Sequence, residues 1–183
     1  MGVRGRRTRI EPNTTYSEPD LIAGVDDILS KASIKGYLDS NENIDLDKVA
    51  HDNNIEVRYE VREPSQSGYF RCVDGVCVIG VNSQHNKRRR RFTLAHELGH
   101  FFLHKEKNTL YADEVFFRID NSSSIEYAAN EFAARLLMPE QRISALIEQG
   151  FDDLSSLAEK LDVSIAAIRY RVVSLGYSVS NNE

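Results

Sequence analysis

The run His96-Glu97-Leu98-Gly99-His100, an HExxH motif, constrains this chain more than any other feature of its 183 residues. On a helix, residues four apart lie on one face, so His96 and His100 can present ring nitrogens to one metal ion. Glu97 is placed to act as a general base toward a water molecule. Apolar residues surround the motif on nearly every side of the helix, and buried imidazoles need partners. The motif therefore predicts a buried helix with a catalytic zinc site rather than an exposed helix with two incidental histidines.

A catalytic zinc site needs a third protein ligand, and the segment 124–139 offers a candidate. The segment predicts a helix that ends at Pro139, on which Glu126 and Asn130 share a face. Glu126 can then bind the metal while Asn130 hydrogen-bonds a ligating imidazole. Glu131 is the competing ligand, but it lies on a different face and we expect it to be solvated. Glu126 could also be only a carboxylate that the helix start favours.

Small residues on both predicted helices indicate how the third ligand reaches the histidines. Gly99 lies inside the HExxH motif, and the second helix carries Ala129, Ala133 and Ala134. Helices with small residues at their contact can approach closely. We therefore expect the two helices to pack tightly and to bring a carboxylate to the metal.

Two stretches together resemble the ImmA/IrrE family of bacterial metallopeptidases. The first is Arg-Phe-Thr-Leu-Ala-His-Glu-Leu-Gly-His, which begins at Arg91. The second is Glu-x-x-Ala-Asn-x-Phe-Ala-Ala-x-Leu-Leu-Met-Pro, which begins at Glu126. Weaker similarity extends from about Leu21 to Gly176.

The resemblance implies a zinc ion bound by His96, His100 and Glu126, with Glu97 as the catalytic base. Asn130 matches a position that supports a histidine ligand in the gluzincin proteases. A two-histidine, one-carboxylate site can also accept manganese. The resemblance further implies that the substrate is a helix-turn-helix repressor of a mobile element or a DNA-damage regulon.

The group that stabilises the transition state is open at the level of sequence. His104 extends the histidine series by one more turn, but a helix rises about 6 Å over four residues, which carries His104 away from the metal. We expect His104 to support the site or the fold rather than to bind the ion. The candidates for the stabiliser are His104, Tyr111, Arg118 and Tyr127.

Composition is typical of one globular domain without a general affinity for nucleic acid. Hydrophobic residues make up 41% of the chain and the formal net charge is −5. We expect no transmembrane helix and no membrane partner, because no apolar run is long enough. The basic start, Arg4 to Arg9, precedes Glu11 and Pro12 rather than an apolar segment, which argues against a signal peptide. These features predict a cytoplasmic protein.

The two cysteines flank a predicted hairpin turn. Asp74-Gly75 is a strong two-residue turn signal, and it would place Cys72 opposite Cys77 on one face. A cross-strand disulfide is geometrically possible. In a reducing cytoplasm we expect two packed thiols instead.

The predicted fold class is α+β. A gluzincin-like metallopeptidase core holds a small antiparallel or mixed sheet, the HExxH helix and the helix of Glu126, and a helix-turn-helix-like module follows. The predicted parts are a disordered basic tail at 1–17, the core at 18–139, the module at 140–177 packed on the core, and a tail at 178–183. The similarity to gluzincins further implies that an edge of the sheet lies by the metal cleft and holds an extended substrate by strand addition. A long loop at 105–124 contains the apolar stretch 110–118, which predicts either an extra strand or a substrate-facing flap.

The C-terminal third predicts helices at 139–149, 154–161 and 164–175, with Ser164 capping the last of them. The last two resemble a helix-turn-helix, whose second helix reads DNA in many regulators. Five acidic residues oppose three basic ones between Asp152 and Glu183. A DNA reader normally presents a basic face, so a packing module or a substrate dock is favoured over direct DNA binding.

The strongest local charge run is Lys87-Arg88-Arg89-Arg90-Arg91, at the start of the HExxH helix. Positive charge there opposes the helix dipole. Solvation and pairing with the many carboxylates of the chain is the favoured interpretation. The alternative is an anionic partner, either DNA or an acidic patch on a substrate.

The sequence as a whole predicts a zinc-dependent endopeptidase that cuts a helix-turn-helix repressor and so derepresses mobile-element or stress-response genes. The alternative is a non-proteolytic regulator, or a toxin–antitoxin component, that binds a repressor or DNA through its C-terminal helices. The presence of Glu97 beside a full ligand set favours the enzyme, because a structural metal site has no use for a base.

Overall fold

Short helices, a small sheet and two long central helices follow one another along the chain. The computed structural model describes residues 3–5, 18–104 and 122–179. Their elements are β1 (Val3–Gly5), α1 (Glu18–Ala32), α2 (Leu46–Asp52), β2 (Ile55–Glu60), β3 (Gly68–Val73), β4 (Val76–Asn82), α3 (Lys87–His104), α4 (Ser122–Leu137), α5 (Glu140–Glu148), α6 (Leu154–Lys160), α7 (Ile165–Ser174) and β5 (Tyr177–Val179). The predicted α+β class is confirmed. No helix within these ranges is long and apolar enough to cross a membrane.

Three strands form a mixed sheet in the order β2-β4-β3. β4 is the buried central strand, parallel to β2 and antiparallel to β3. Asp74 and Gly75 both have positive φ, at 50° and 80°, which is the backbone of a type I′ hairpin turn. The predicted small sheet and its hairpin are therefore confirmed, and β3 is an edge strand.

The cysteine pair corrects one expectation. Cys72 lies directly opposite Cys77 in the β3–β4 register, and the two form a disulfide in the structure. The expectation of two packed thiols is therefore wrong for this structure. The two-residue turn brings the side chains together on one face, whereas the expectation of thiols came from the compartment alone.

The helix α3, which carries the HExxH motif, packs closely on α4. A Cβ atom added at Gly99 would lie 3.1 Å from Ala129 Cα and 3.2 Å from both Ala129 O and Phe132 Cβ. Only a glycine allows this approach without a shift of one helix. The close contact predicted from the small residues is confirmed, and it sets how far α4 stands from the histidines.

The basic run at the start of α3 finds partners within the fold. Lys87 Nζ lies 2.7 Å and Arg88 Nε 3.7 Å from carboxylate oxygens of Asp162, in the turn between α6 and α7. Arg91 is partly buried and donates to the Ile44 carbonyl oxygen at 2.7 Å. These contacts agree with the interpretation that the run is neutralised within the chain.

A buried ion pair joins α4 to α7. Arg171 is buried, donates through Nε to the Met138 carbonyl oxygen at 3.1 Å, and has its Nη1 3.5 Å from Glu131 Oε1. Arg135 Nε lies 2.9 Å from the same Glu131 oxygen. The expectation that Glu131 is solvated is therefore wrong, because two guanidinium groups hold its carboxylate inside the fold. Arg171 is also unavailable to an external partner.

The C-terminal helices α5, α6 and α7 follow the sequence prediction closely. Ser164 caps α7 by accepting a hydrogen bond from the Ala167 amide, and Asp153 caps α6 in the same way through Ser155 and Ser156. The turn between α6 and α7 passes through Asp162 at a φ of 51°. The likeness of this pair to a helix-turn-helix, and the boundary at 139/140, stay predictions.

Residues of both predicted tails pair in a short two-stranded sheet. Val3–Gly5 pairs antiparallel with Tyr177–Val179, so residues 3–5 form a strand where a disordered tail was expected. The domain boundaries at 17 and 178 stay predictions. The C-terminal strand supplies backbone partners that local composition does not reveal.

The rest of the segment 1–17 lies outside the described residues, as does 105–121, which includes the apolar stretch 110–118. The expected loop end at 124 is wrong, because α4 begins at Ser122.

Asn82, at the end of β4, holds the loop that leads into β3. Its side chain is fully buried. Nδ2 donates to the carbonyl oxygens of Arg62, Glu63 and Gln66 at 3.2, 3.1 and 2.9 Å. Oδ1 accepts from the amides of Arg62 and Gln84. The Asn82 amide thus contacts four backbone groups of this loop and the Gln84 amide beyond β4, with its two Nδ2 hydrogens shared among three carbonyl oxygens.

We expect Asn82→Ala to lower the free energy of unfolding by about 3 kcal/mol, because several buried backbone groups lose their partner at once. Urea denaturation measures the change. The matched control is Asn43→Ala, since buried Asn43 donates a single side-chain hydrogen bond, to the Lys160 carbonyl oxygen at 3.1 Å. That control should cost about 1 kcal/mol. Equal losses for both variants would show that Asn82 does not organise the loop.

Candidate metal centre

Three side chains from two helices converge beside the sheet. His96 and His100 on α3 have their Nε2 atoms 3.1 Å apart. The Glu126 carboxylate on α4 reaches both, with Oε2 3.2 Å from His96 Nε2 and Oε1 3.4 Å from His100 Nε2. One ligand atom from each of the three residues lies within 4.8 Å of the others, so the group could hold a metal ion.

Asn130 fixes the orientation of the first histidine. Its Oδ1 lies 3.0 Å from His96 Nδ1, which is the geometry of an Nδ1–H donor to the amide oxygen. A proton held on Nδ1 leaves Nε2, which faces His100 and Glu126, as the nitrogen of His96 that would bind a metal. Two imidazole nitrogens and a carboxylate facing one point suit a borderline-soft divalent cation such as zinc. The donor set present therefore fits the metal that the sequence predicts.

The electrostatics of the centre favour positive charge. Hydrogen bonds from His100 and His96 hold the pKa of Glu126 far below its usual range. Burial acts to lower the pKa of His96, but Glu126 and the charge of Glu97 outweigh it, so that pKa is raised. Two carboxylates thus surround the imidazoles with negative potential.

Glu97 lies against the edge strand of the sheet. It is 7% exposed, and burial raises the pKa of its carboxyl group. A Cβ added at Gly68, the first residue of β3, would meet Glu97 Oε1 at 3.3 Å, Thr93 Cγ2 at 2.5 Å and the Gly80 carbonyl oxygen at 2.7 Å. Gly68 was not among the residues predicted for the site. The available signal was a glycine directly before the strand sequence that leads into the Asp74-Gly75 turn, since such glycines often mark a close backbone approach.

Tyr127 is the one candidate for the transition-state stabiliser whose side chain the structure describes. His104 is the last residue of α3, and its side chain lies outside the described part of the structure. Tyr111 and Arg118 lie in the segment 105–121, which is also outside it. Tyr127 directly follows Glu126, is 40% exposed, and interacts with Tyr170 of α7; burial, and then Tyr170, raise the pKa of its hydroxyl group. The assignment of this role stays a prediction.

The components of a metallopeptidase centre are an HExxH helix, a carboxylate from a second helix and a buried glutamate beside them. Residues 50–173 match the Peptidase M78 family, described as the IrrE N-terminal-like domain, and the chain belongs to this family. The match covers the sheet, α3, α4 and most of the C-terminal helices. The family membership predicted from the two motifs is confirmed.

Similar proteins carry metallopeptidase names. Metallopeptidase ImmA of Bacillus subtilis is 30% identical over 108 residues, which cover 55% of this chain and 59% of that protein. Radiation response metalloprotease IrrE of Deinococcus radiodurans is 34% identical over 102 residues, covering 51% of this chain and 30% of that protein. Uncharacterized immunity region protein 2 of Bacillus phage phi105 is 40% identical over 67 residues, covering 36% and 40%. The chain thus matches less than two thirds of the length of each relative. Two of these three relatives are named as metallopeptidases.

We expect Gly99→Val to weaken zinc binding and to lower the free energy of unfolding by about 2 kcal/mol. The added side chain would push α4, and with it Glu126, away from the two histidines. Zinc titration with a competing chelator measures the first effect and urea denaturation the second. Gly24→Ala is the control, because a Cβ there meets Phe132 Cε2 at 3.5 Å and Phe102 Cβ at 3.9 Å, which are ordinary contacts. Wild-type zinc affinity in Gly99→Val would mean that the helix spacing does not set the centre.

Proposed function

We propose that this protein is a zinc-dependent endopeptidase of the gluzincin type. The observation that carries the proposal is the convergence of His96, His100 and Glu126 on one point, with Glu97 buried beside it. His96, His100 and Glu126 would hold the metal, and Asn130 would keep His96 in the tautomer that binds it. Glu97 can act as a general base, which a structural zinc site does not need. Its presence therefore favours a catalytic site.

Peptide hydrolysis at this centre would combine the Lewis acidity of the metal with proton transfer by Glu97. When bound, zinc supplies Lewis acidity, which polarises the peptide carbonyl group and makes water more acidic. Glu97 takes the proton from the attacking water and then gives it to the leaving amine. The low exposure of Glu97 keeps bulk water from competing for that proton.

The edge strand β3 offers a place for an extended substrate. β3 pairs on one side with β4, and its other side is the edge of the sheet. It begins at Gly68, against the Glu97 carboxylate. A peptide that adds to this edge would pass the centre with its backbone held by main-chain hydrogen bonds. In strand addition of this kind, main-chain hydrogen bonds supply most of the affinity and side-chain contacts supply the specificity.

We further propose that the substrate is a helix-turn-helix repressor in the cytoplasm. Support comes from the resemblance in the two motifs, from a relative named for the radiation response, and from a relative in a phage immunity region. Cleavage would release genes of a mobile element or of a stress response from repression. Zinc is the expected metal and manganese the alternative.

Incubation with the helix-turn-helix repressor encoded beside this gene tests the proposal. Intact mass spectrometry should show one new pair of fragments with the wild-type protein and zinc, and none with Glu97→Gln. A parallel incubation with manganese identifies the metal that supports the higher rate. An uncut repressor in a stable complex with both variants would contradict the protease and indicate a regulator that acts by sequestration.

A further inference from the structure

The helix α7 presents an apolar stripe to solvent. Ala166, Tyr170 and Val173 are spaced four and three residues apart, so they lie on one face of the helix. All three are exposed, Tyr170 by 55% and Val173 by 49%. On the opposite side, Ile168 and Val172 are fully buried in the core. The exposed stripe is therefore held on a rigid element rather than on a loop.

This stripe extends to α4, the helix that carries Glu126. Tyr127 of α4 is 40% exposed and interacts with Tyr170 of α7. It is the residue directly after Glu126, whose carboxylate contacts both histidines. The Glu131–Arg171 ion pair fixes α7 against α4. Tyr127, Ala166, Tyr170 and Val173 thus form one surface, here called the tyrosine face, that borders the centre.

The charge of α7 favours a polypeptide over DNA as the partner of this face. Arg171 is buried and engaged with Glu131 and Met138. Arg169 carries the positive charge among the exposed residues of α7, and Asp162 in the turn before the helix is paired with Lys87 and Arg88 of α3. A DNA reader gathers several basic side chains along its recognition helix. Exposed tyrosine and valine are instead typical of the centre of a protein interface.

We propose that the tyrosine face is an exosite that docks an apolar segment of the same polypeptide whose scissile bond lies at the metal centre. The proposal rests on the proposed peptidase function and adds to it a second, remote contact with the substrate. Scattered exposed apolar residues need no explanation, but four that adjoin one another beside a peptidase centre mark where a folded substrate meets the enzyme. Docking there raises the local concentration of the scissile segment without altering the chemistry.

The test compares two substrates and two double variants. The substrates are the full-length repressor encoded beside this gene and a short synthetic peptide that spans the bond cut in it. The first variant is Tyr170→Ser with Val173→Ser. The matched control is Ile34→Ser with Val61→Ser, because these apolar residues are 88% and 75% exposed and lie outside the tyrosine face. All four positions are exposed, so the fold should tolerate both variants.

We expect KM for the full-length repressor to rise at least about tenfold in Tyr170→Ser/Val173→Ser, with little change in kcat. The peptide is too short to reach α7, so its KM should not rise with that of the repressor. The control should match the wild type with both substrates. Unchanged KM for the repressor in Tyr170→Ser/Val173→Ser would overturn the exosite and leave the proposed protease intact.

Two further outcomes are distinguishable. If the wild type cuts neither substrate, the proposed function fails and the exosite fails with it. If Tyr170→Ser/Val173→Ser loses binding to a duplex carrying the repressor's operator while KM for the repressor is unchanged, the face binds DNA and the exosite is wrong. A gel-shift titration of both double variants on that duplex completes the set.

Discussion

Glu97→Gln is expected to reduce cleavage by about a thousandfold or more while zinc stays bound. General base catalysis contributes about 10²–10⁴-fold, and an amide cannot accept the proton. Glutamine has nearly the same shape, so the buried position beside Gly68 should stay filled. Fragment formation from the repressor, followed by intact mass, gives the rate, and metal analysis of the same sample gives the zinc content.

The control for this substitution is Glu159→Gln on α6. Glu159 is exposed, so the loss of its charge should change neither the rate nor the zinc content. A Glu97→Gln protein that cuts at the wild-type rate would remove Glu97 from the mechanism. Loss of zinc together with activity would instead move Glu97 into the set of residues that hold the metal.

Glu126→Ala should lower zinc affinity by more than about a hundredfold and abolish cleavage. Loss of groups that merely support a ligand already costs 10–100-fold in affinity, and Glu126 faces the ion directly. Asn130→Ala provides the graded comparison, since Asn130 contacts only the far nitrogen of His96, and it should fall within about 10–100-fold. Chelator competition ranks the three proteins.

The fold should survive the loss of Glu126. Its side chain is 42% exposed, so its removal leaves no large cavity in the core. Thermal unfolding without zinc should therefore stay cooperative, with a small loss of stability because the two histidines lose their carboxylate partner, whereas the stabilisation that zinc confers on the wild type should be lost. Wild-type zinc affinity in Glu126→Ala would contradict the three-ligand centre.

Local signals were sufficient for most of the site. The i, i+4 spacing placed His96 and His100 on one helix face, and the same spacing joined Glu126 to Asn130. Gly99 and the alanines predicted how closely the two helices approach. Each of these inferences needs only the helical repeat and the size of a side chain.

Contacts between distant parts of the chain were not predictable. Glu131 is a charged helix residue of the kind that usually lies in solvent. Its partner Arg171 is 40 residues further along the chain, and the ion pair holds the Glu131 carboxylate inside the fold. The strand Val3–Gly5 depends on a partner at the opposite end of the sequence. Neither pairing leaves a local pattern, because hydrophobic periodicity reports burial on one element and not the identity of its partner.

The disulfide shows a different limit. The turn Asp74-Gly75 predicted correctly that Cys72 faces Cys77. The state of the sulfur atoms was inferred from the expected compartment, and on that point the inference was wrong for this structure. Register follows from local geometry, whereas oxidation follows from surroundings that the sequence does not encode.

Anomalous diffraction from zinc-soaked crystals would show directly whether His96, His100 and Glu126 bind zinc. The data are recorded at energies on both sides of the zinc edge. We expect a single strong peak within the described part of the chain, between the Nε2 atoms of His96 and His100 and the Glu126 carboxylate. The peak should disappear in Glu126→Ala and persist in Glu97→Gln. Zinc bound at another position, with no peak between these three side chains, would contradict the metal centre on which the proposed function depends.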